Sequence, residues 1–139
     1  MIGIVVVGHG EMAGALVGAA RLILKDPTPM RAVAVNPEED EAALRARLKE
    51  AIAEVKAGKG VILFTDMLGG TASNVALSLL SEKGVEVVTG VNLPMLVKLP
   101  SVQKRTLREA AQFIRDYGAK NISLASKLLE RPRPESPAG

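Results

Sequence analysis

The chain has 139 residues, 47% of them hydrophobic, and carries a formal net charge of +3. Its acidic and basic residues are interleaved, and only two Phe and one Tyr supply aromatic rings, so we exclude nucleic acid as a partner. The absence of cysteine excludes disulfides, thiolate metal sites and cysteine nucleophiles. Because the chain also has only one histidine, we expect neither a metal ion nor another cofactor.

No apolar stretch is long enough for a membrane helix, and the first apolar run lacks the basic start of a signal peptide. We therefore expect a cytoplasmic protein with no direct membrane insertion. The length suits one domain, which we place at residues 1–130. The Pro- and Arg-rich residues 131–139 are expected to form a disordered tail.

Four short apolar runs alternate with helical patterns along the chain. The first and third runs are continuously apolar, as in strands that are covered on both faces. The intervals between the runs are long enough for the crossover helix of a βαβ unit. The predicted strands are Ile2–Val7, Arg31–Val35, Val61–Thr65 and Val85–Thr89.

The first two helices are predicted from their apolar spacing and their start signals. The first covers Glu11 to Leu24, and its spacing indicates a buried stripe. The second is predicted to begin at Asn36-Pro37, because Asn is a common helix cap and Pro suits the first turn. The predicted buried positions are Met12, Leu16, Ala19 and Ile23 in the first helix, and Leu44, Leu48, Ile52 and Val55 in the second.

The remaining helices are predicted in the second half of the chain. One follows Thr71 and ends near Gly84, a short one begins at Pro94, and a longer one covers Thr106 to Tyr117. The segment Ile122–Leu129 fits either a strand or the end of a helix.

The alternation of strands and helices predicts an α/β fold. We expect a doubly wound, mainly parallel four-stranded sheet in the order 2-1-3-4, with helices on both faces. In that order the first and third strands are neighbours whose crossovers leave in opposite directions, so a crevice opens at their carboxyl ends. Because His9 follows the first strand and Asp66 follows the third, the topology brings these side chains together.

His9 is the first candidate for chemistry. It is the only histidine and lies between Gly8 and Gly10, where a partner molecule has room to reach the ring. Imidazole exchanges protons and accepts electrophiles near neutral pH. The alternative is a structural histidine in a turn, which the motif alone does not exclude.

The segment from Thr65 to Asn74 is the second candidate stretch. Asp66 is suited to accept a proton from one ring nitrogen and leave the other free to attack phosphorus. A glycine pair lets backbone N–H groups turn toward an anion, hydroxyl donors follow it, and a helix start adds a positive dipole end. The predicted phosphate-binding residues are Gly69, Gly70, Thr71 and Ser73. The alternative is an ordinary strand-to-helix turn with a capping hydroxyl.

A third stretch, Gly90 to Leu96, follows the fourth strand and would form a wall of the same site. Its alternative is a turn in which Asn92 caps a helix beginning at Pro94. We expect Met95 and Leu96 to serve in packing or in an interface rather than as ligands.

These three stretches together resemble the enzyme IIA domain of the mannose family of the bacterial phosphoenolpyruvate-dependent sugar phosphotransferase system (PTS). The likeness lies in Gly8-His9-Gly10, in Thr65-Asp66 through Gly69-Gly70-Thr71 to Asn74, and in Gly90-Val91-Asn92-Leu93-Pro94-Met95-Leu96. They occur in the family's order and spacing, over about residues 1 to 120 of the chain.

The resemblance implies a phosphotransferase with a phosphohistidine intermediate. In the family, the histidine matching His9 takes a phosphoryl group from the carrier protein HPr and passes it to a histidine of a IIB protein or domain during sugar uptake. The aspartate matching Asp66 orients the imidazole, and the hydroxyl matching Thr71 helps to hold the phosphate. The family forms homodimers that exchange a C-terminal antiparallel strand, which implies a fifth strand within Ile122–Leu129.

Some features depart from the family pattern and keep other functions open. Ala72 stands where the family often has Pro, and no IIB-like segment is expected after the tail. A phosphorylation-dependent regulatory module without transport is therefore an alternative. Another is the phosphocarrier subunit of a dihydroxyacetone kinase, whose second loop usually carries a Gly-Ser-Ala type sequence rather than Gly69-Gly70-Thr71.

Overall fold

The computed structural model describes residues 1–25 and 28–130. In this part of the chain the strands are all parallel and lie in the order β2-β1-β3-β4, so the predicted α/β class and strand order are confirmed. Val7 pairs with Thr65, which places the residues that follow β1 and β3 at the same edge of the sheet. The strands are β1 Gly3–His9, β2 Met30–Val35, β3 Val61–Thr65 and β4 Val85–Thr89.

Helices cover both faces of the sheet; the first three connect consecutive strands, and the other three follow β4. They are α1 Met12–Ile23, α2 Glu41–Val55, α3 Gly70–Ser78, α4 Leu93–Lys98, α5 Leu107–Lys120 and α6 Ala125–Leu128. Short 3₁₀ turns follow α3 at Leu79–Ser81 and α4 at Leu99–Val102. Thr106 and Glu109 form a capping box at the start of α5, because each side chain accepts the other residue's backbone N–H.

Two apolar layers lie on opposite faces of the sheet, because successive residues of a strand point to opposite sides. In β1, Ile4 and Val6 pack with α1, α4 and α5, while Val5 and Val7 pack with α2 and α3. All four side chains are fully buried. The double coverage explains why the strand sequence is continuously apolar rather than alternating.

The predicted buried stripe of α1 is wrong by one position. Ala13, Val17 and Ala20 are buried, whereas Ile23 is 55% exposed. Met12, Leu16 and Ala19 are only partly buried. Because Arg21 is the only charged residue in this helix, the apolar pattern does not fix which side faces the sheet. The small Ala13 and Ala20 face the core.

The predicted start of α2 is also wrong. Asp40 is the cap, since its side chain accepts the backbone N–H of Ala43 and the helix begins at Glu41. Asn36 instead begins a turn in which its backbone carbonyl accepts the N–H of Glu39. A later residue with an equally good capping side chain therefore replaces the earlier one. The predicted apolar face of α2 is confirmed.

The segment Ile122–Leu129 contains the short helix α6, which has no buried residue. The described part of the chain therefore has no fifth strand in the sheet, and strand exchange between subunits stays a prediction. The predicted disordered tail, residues 131–139, lies outside the described residues. None of the helices described here has the length and apolar character needed to cross a bilayer.

Candidate functional site

Backbone hydrogen bonds bring the three sequence stretches to one edge of the sheet. The N–H of Asp66 donates to the carbonyl of Val7 at 3.2 Å, and the N–H of Val91 donates to the carbonyl of Thr65 at 3.0 Å. The residues that follow β1, β3 and β4 are therefore neighbours. This edge is the carboxyl end of the strands, at the point where the strand order reverses.

His9 and Asp66 meet at this edge as the topology predicts. The ring Nδ1 of His9 lies 2.7 Å from Oδ2 of Asp66. The same oxygen accepts the backbone N–H of His9 at 2.9 Å, and Oδ1 accepts the backbone N–H of Met67 at 2.9 Å. The His9 side chain is 61% exposed and that of Asp66 only 11%. The imidazole is thus held at its inner nitrogen and open to solvent.

The contact with Asp66 assigns the tautomer of His9. A carboxylate only accepts hydrogen bonds, so Nδ1 carries the proton and donates it to Oδ2. The lone pair of a neutral imidazole is then on Nε2, on the far side of the ring. The arrangement can therefore present a nucleophilic nitrogen to solvent and stabilise a positive charge on the ring.

The surroundings of Asp66 keep its carboxyl ionised. Partial burial raises its pKa, but the hydrogen bonds from the backbone and ring of His9 and from the backbone of Met67, together with the positive charge of His9, bring the pKa below the ordinary 3.8. A carboxylate that accepts several N–H donors is stabilised in its charged form. Asp66 is thus a fixed anion that orients His9 at neutral pH.

Sequence reasoning missed the backbone N–H groups of His9 and Met67, which donate to the Asp66 carboxylate. Backbone donors leave no mark on residue identity. Gly8 lies near this carboxylate, and a Cβ placed on it would make ordinary van der Waals contact, 3.4 Å from Oδ2 of Asp66 and 3.5 Å from its Cβ and Cγ.

The glycine pair after Asp66 shapes the start of α3. Gly69 and Gly70 have φ values of +106° and +81°, a region that other residues adopt only with strain. No side chain caps this helix, and its first turn contains no acidic residue. Its first N–H groups and the positive end of its dipole are therefore available to an anion.

The two predicted hydroxyl donors occupy different surroundings. Thr71 is exposed, in the first turn of α3. Ser73 is only 1% exposed, and its Oγ has no hydrogen-bond partner among the described residues. The structure thus places Thr71 at the surface, next to the loop that follows Asp66, and Ser73 on the packed side of α3.

The third stretch, Gly90 to Leu96, has a structural role at this edge of the sheet. Asn92 accepts the backbone N–H of Met95 and caps α4, and its side-chain amide donates to the carbonyl of Gly118 at 3.0 Å. Met95 and Leu96 are buried, at 4% and 0% exposure, so their predicted packing role is confirmed. Asn92 joins the starting end of α4 to the final turns of α5.

Fold and site together define a doubly wound α/β protein with an exposed histidine, oriented by an aspartate, at its switch point. The sequence matches the family described as PTS system fructose IIA component over residues 3–114. The chain belongs to this family and is a PTS EIIA component of the mannose type.

Individual relatives agree with this assignment. The fructose-specific EIIA component of Bacillus subtilis (strain 168) is 25% identical over 94% of this chain and 91% of its own length. The mannose-specific EIIAB component of Escherichia coli (strain K12) is 32% identical over 70% of this chain, which spans 30% of that longer protein. A PTS IIA protein associated with the fucose utilization operon of Streptococcus pneumoniae has a TM-score of 0.79 and 28% identity, covering 93% of this chain and 96% of its own.

Proposed function

We propose that this protein is a cytoplasmic phosphocarrier, which accepts a phosphoryl group on Nε2 of His9 from phospho-HPr and passes it to a IIB protein or domain for sugar uptake. The observation that carries this proposal is the 2.7 Å contact between Nδ1 of His9 and Asp66 on an imidazole that is otherwise exposed. Membership of the EIIA family agrees with a role in phosphotransfer.

Each transfer is a displacement at phosphorus between two imidazoles. The lone pair of Nε2 attacks the phosphorus, the N–P bond of the donor histidine breaks, and the donor nitrogen takes that electron pair. The ring of His9 becomes positively charged while Nδ1 keeps its proton and donates it in the hydrogen bond to Asp66, so the charge is stabilised where it forms. Transfer to the acceptor histidine reverses these steps.

The test of this function is whether labelling of the protein depends on the complete donor chain. The purified protein is incubated with labelled phosphoenolpyruvate, enzyme I and HPr, and each component is omitted in turn. We expect an acid-labile label only in the complete mixture, because phosphohistidine hydrolyses in acid. Labelling without HPr, or an acid-stable label, would contradict the proposal.

We propose that the start of α3 holds the phosphoryl oxygens. The backbone N–H groups of Gly69 and Gly70 and the hydroxyl of Thr71 supply donors at the start of α3, in the segment that follows Asp66. Ser73 belongs to this proposal because its buried hydroxyl lacks a partner in the described structure; a phosphoryl oxygen would have to enter the packed side of α3 to satisfy it, and a water is the alternative.

Hydroxyl deletions test this binding site. Thr71→Ala and Ser73→Ala are each expected to slow transfer from phospho-HPr by roughly 3- to 10-fold, the value of one hydrogen bond of about 0.5–1.5 kcal/mol. Thr71→Ser keeps the hydroxyl and is the matched control, with a rate near that of the wild type. Rates of all three variants are measured by rapid quench. An unchanged rate in an alanine variant would remove that residue from the phosphate site.

We also propose that the protein is a homodimer in which the segment Ile122–Leu129 pairs with β4 of the other subunit. β4 is an edge strand, and a cavity of about 660 Å³ lies between it and α5. Open strand edges readily pair with another chain. The large apolar residues of the segment are exposed in the part of the chain that the structure describes: Ile122, Leu124, Leu128 and Leu129 are 77%, 70%, 69% and 82% exposed.

Charged substitutions in this segment test the dimer. Leu124→Asp is expected to shift the sedimentation of the protein from dimer to monomer at micromolar concentration, because it places a charge in the apolar contact. Leu22→Asp is the control, since Leu22 is 87% exposed on α1, away from β4. A wild-type protein that sediments as a monomer would contradict the proposal, and so would a Leu124→Asp variant that stays dimeric.

A further inference from the structure

The edge of the sheet opposite His9 is strongly basic. Three loops meet there, before β3, before β4 and before α5, and their charged side chains are exposed. The ammonium of Lys56 donates to the carbonyl of Lys83 at 3.0 Å, which joins the first loop to the second. The ammonium of Lys59 donates to the carbonyl of Gln103 at 2.6 Å, which joins the first loop to the third. We call this surface the basic edge, and its basic residues are Lys56, Lys59, Lys83, Lys104 and Arg105.

The two edges of the sheet carry opposite charge. The three loops of the basic edge contain one acidic residue, Glu82, whose carboxylate pairs with Lys49 at 2.9 Å. At the His9 edge the loops that follow β1 and β2 are acidic instead. Their exposed carboxylates belong to Glu11, Glu38, Asp40 and Glu41. Because β1 has seven residues and a strand rises about 3.3 Å per residue, the two edges lie roughly 20 Å apart.

Exposed aliphatic side chains border the basic edge on both faces of the sheet. The helix α1 ends at this edge because it leads into the start of β2, and the turn after α3 ends there because it leads into β4. These two ends carry Leu22, Ile23 and Leu80, which are 87%, 55% and 45% exposed. Basic residues beside exposed aliphatic ones are typical of protein surfaces that bind at a lipid interface.

An anionic bilayer complements both parts of this surface. Each lysine or arginine near acidic headgroups strengthens binding by roughly 5-fold, so a cluster of such residues is enough for reversible attachment. The aliphatic side chains gain free energy by entering the headgroup region, which a polyanion in water does not offer them. The acidic His9 edge is repelled by the same bilayer, so the charge separation also sets the orientation of the protein.

We propose that the basic edge, together with Leu22, Ile23 and Leu80, is a peripheral binding surface for an anionic lipid bilayer. The attachment is reversible and stays within the headgroup region. His9 then faces away from the bilayer at roughly 20 Å, which is beyond the Debye length of about 8 Å at physiological salt. The ring therefore stays accessible while the protein is bound. This surface does not depend on the proposed phosphocarrier function.

Sedimentation of the full chain with phospholipid vesicles tests this surface. Vesicles of phosphatidylcholine with about 30% phosphatidylserine are compared with vesicles of phosphatidylcholine alone. We expect binding to the anionic vesicles at low ionic strength, its loss at about 0.5 M salt, and no binding to the neutral vesicles. A wild-type protein that stays in the supernatant with anionic vesicles at low salt would overturn the inference, and so would equal binding to both kinds of vesicle.

Substitutions locate the contact on the protein. Lys83→Ser and Lys104→Ser are each expected to lower the partition coefficient roughly 5-fold, from the loss of one charge. Leu22→Ser is expected to lower it by on the order of 10-fold, from the loss of apolar burial. Lys120→Ser and Leu68→Ser are the matched controls, with wild-type binding expected, because they remove an exposed lysine and an exposed leucine at the His9 edge.

Two patterns among the variants would contradict the proposal. Losses in the lysine variants without a loss in Leu22→Ser would indicate an electrostatic contact alone, as with an acidic protein surface, and would overturn the bilayer as the partner. Losses in the two controls as large as those at the basic edge would show that the protein binds through its other edge, and would overturn the proposed orientation.

Discussion

Replacing His9 with alanine is expected to reduce labelling by phospho-HPr to background. The chain has no other histidine and no cysteine, so no other side chain of these types can act as the nucleophile. Removal of a nucleophile in other enzymes costs on the order of 10⁶ in rate, which is beyond the range of a phosphotransfer assay. The measurement is the amount of acid-labile phosphate per protein after incubation with phosphoenolpyruvate, enzyme I and HPr.

The fold of the His9→Ala variant is expected to be intact, because the His9 side chain is 61% exposed and packs little. Circular dichroism and thermal unfolding serve as the control. Labelling that survives in a folded His9→Ala protein would show that the phosphoryl group is attached elsewhere, and the assignment of His9 would be withdrawn.

Replacing Asp66 with asparagine is expected to slow phosphoryl transfer by on the order of 10² to 10⁴. The amide keeps the shape of the side chain, but it no longer stabilises the positive charge that the ring gains as Nε2 reacts. It can also select the other tautomer, in which Nε2 carries the proton. Asp116→Asn is the matched control, because Asp116 is a carboxylate on α5 that is 43% exposed and, among the described residues, pairs with Arg115 alone.

The difference in stability between the wild type and Asp66→Asn is also expected to depend on pH. The pKa of Asp66 is lowered in the folded protein, so its ionised form stabilises the fold above the ordinary value of 3.8. This contribution is lost as the pH falls through the folded-state pKa. We therefore expect the stability difference between wild type and Asp66→Asn to be largest at neutral pH and to shrink below about pH 4. A difference that grows in acid would contradict the assigned role.

The sequence predicted the features that follow from strand pattern and topology. The continuously apolar run before His9 and the similar run before Asp66 indicated two buried parallel strands. Because the carboxyl ends of neighbouring parallel strands lie at one edge of the sheet, the contact between His9 and Asp66 could be predicted from strand order alone. The roles of Met95 and Leu96 were predictable in the same way, from apolar positions after a capped helix start.

The features that the sequence did not predict depend on choices between equivalent local signals. Asn36 and Asp40 both have side chains that cap helices well, and α2 begins after the later one. In α1 the side that faces the sheet is not set by polarity, because Arg21 is its only charge. The burial of Ser73 depends on how α3 is rotated against its neighbours, which the spacing of Thr71 and Ser73 does not fix.

The central claim is that Asp66 holds Nδ1 of His9 and leaves Nε2 to carry the phosphoryl group. Nitrogen-15 and phosphorus-31 NMR of the phosphorylated protein tests it directly, because a single histidine gives one unambiguous set of ring signals. We expect the ¹⁵N–³¹P coupling at Nε2, with Nδ1 protonated. A phosphoryl group on Nδ1 would contradict the account, since that nitrogen lies 2.7 Å from the Asp66 carboxylate.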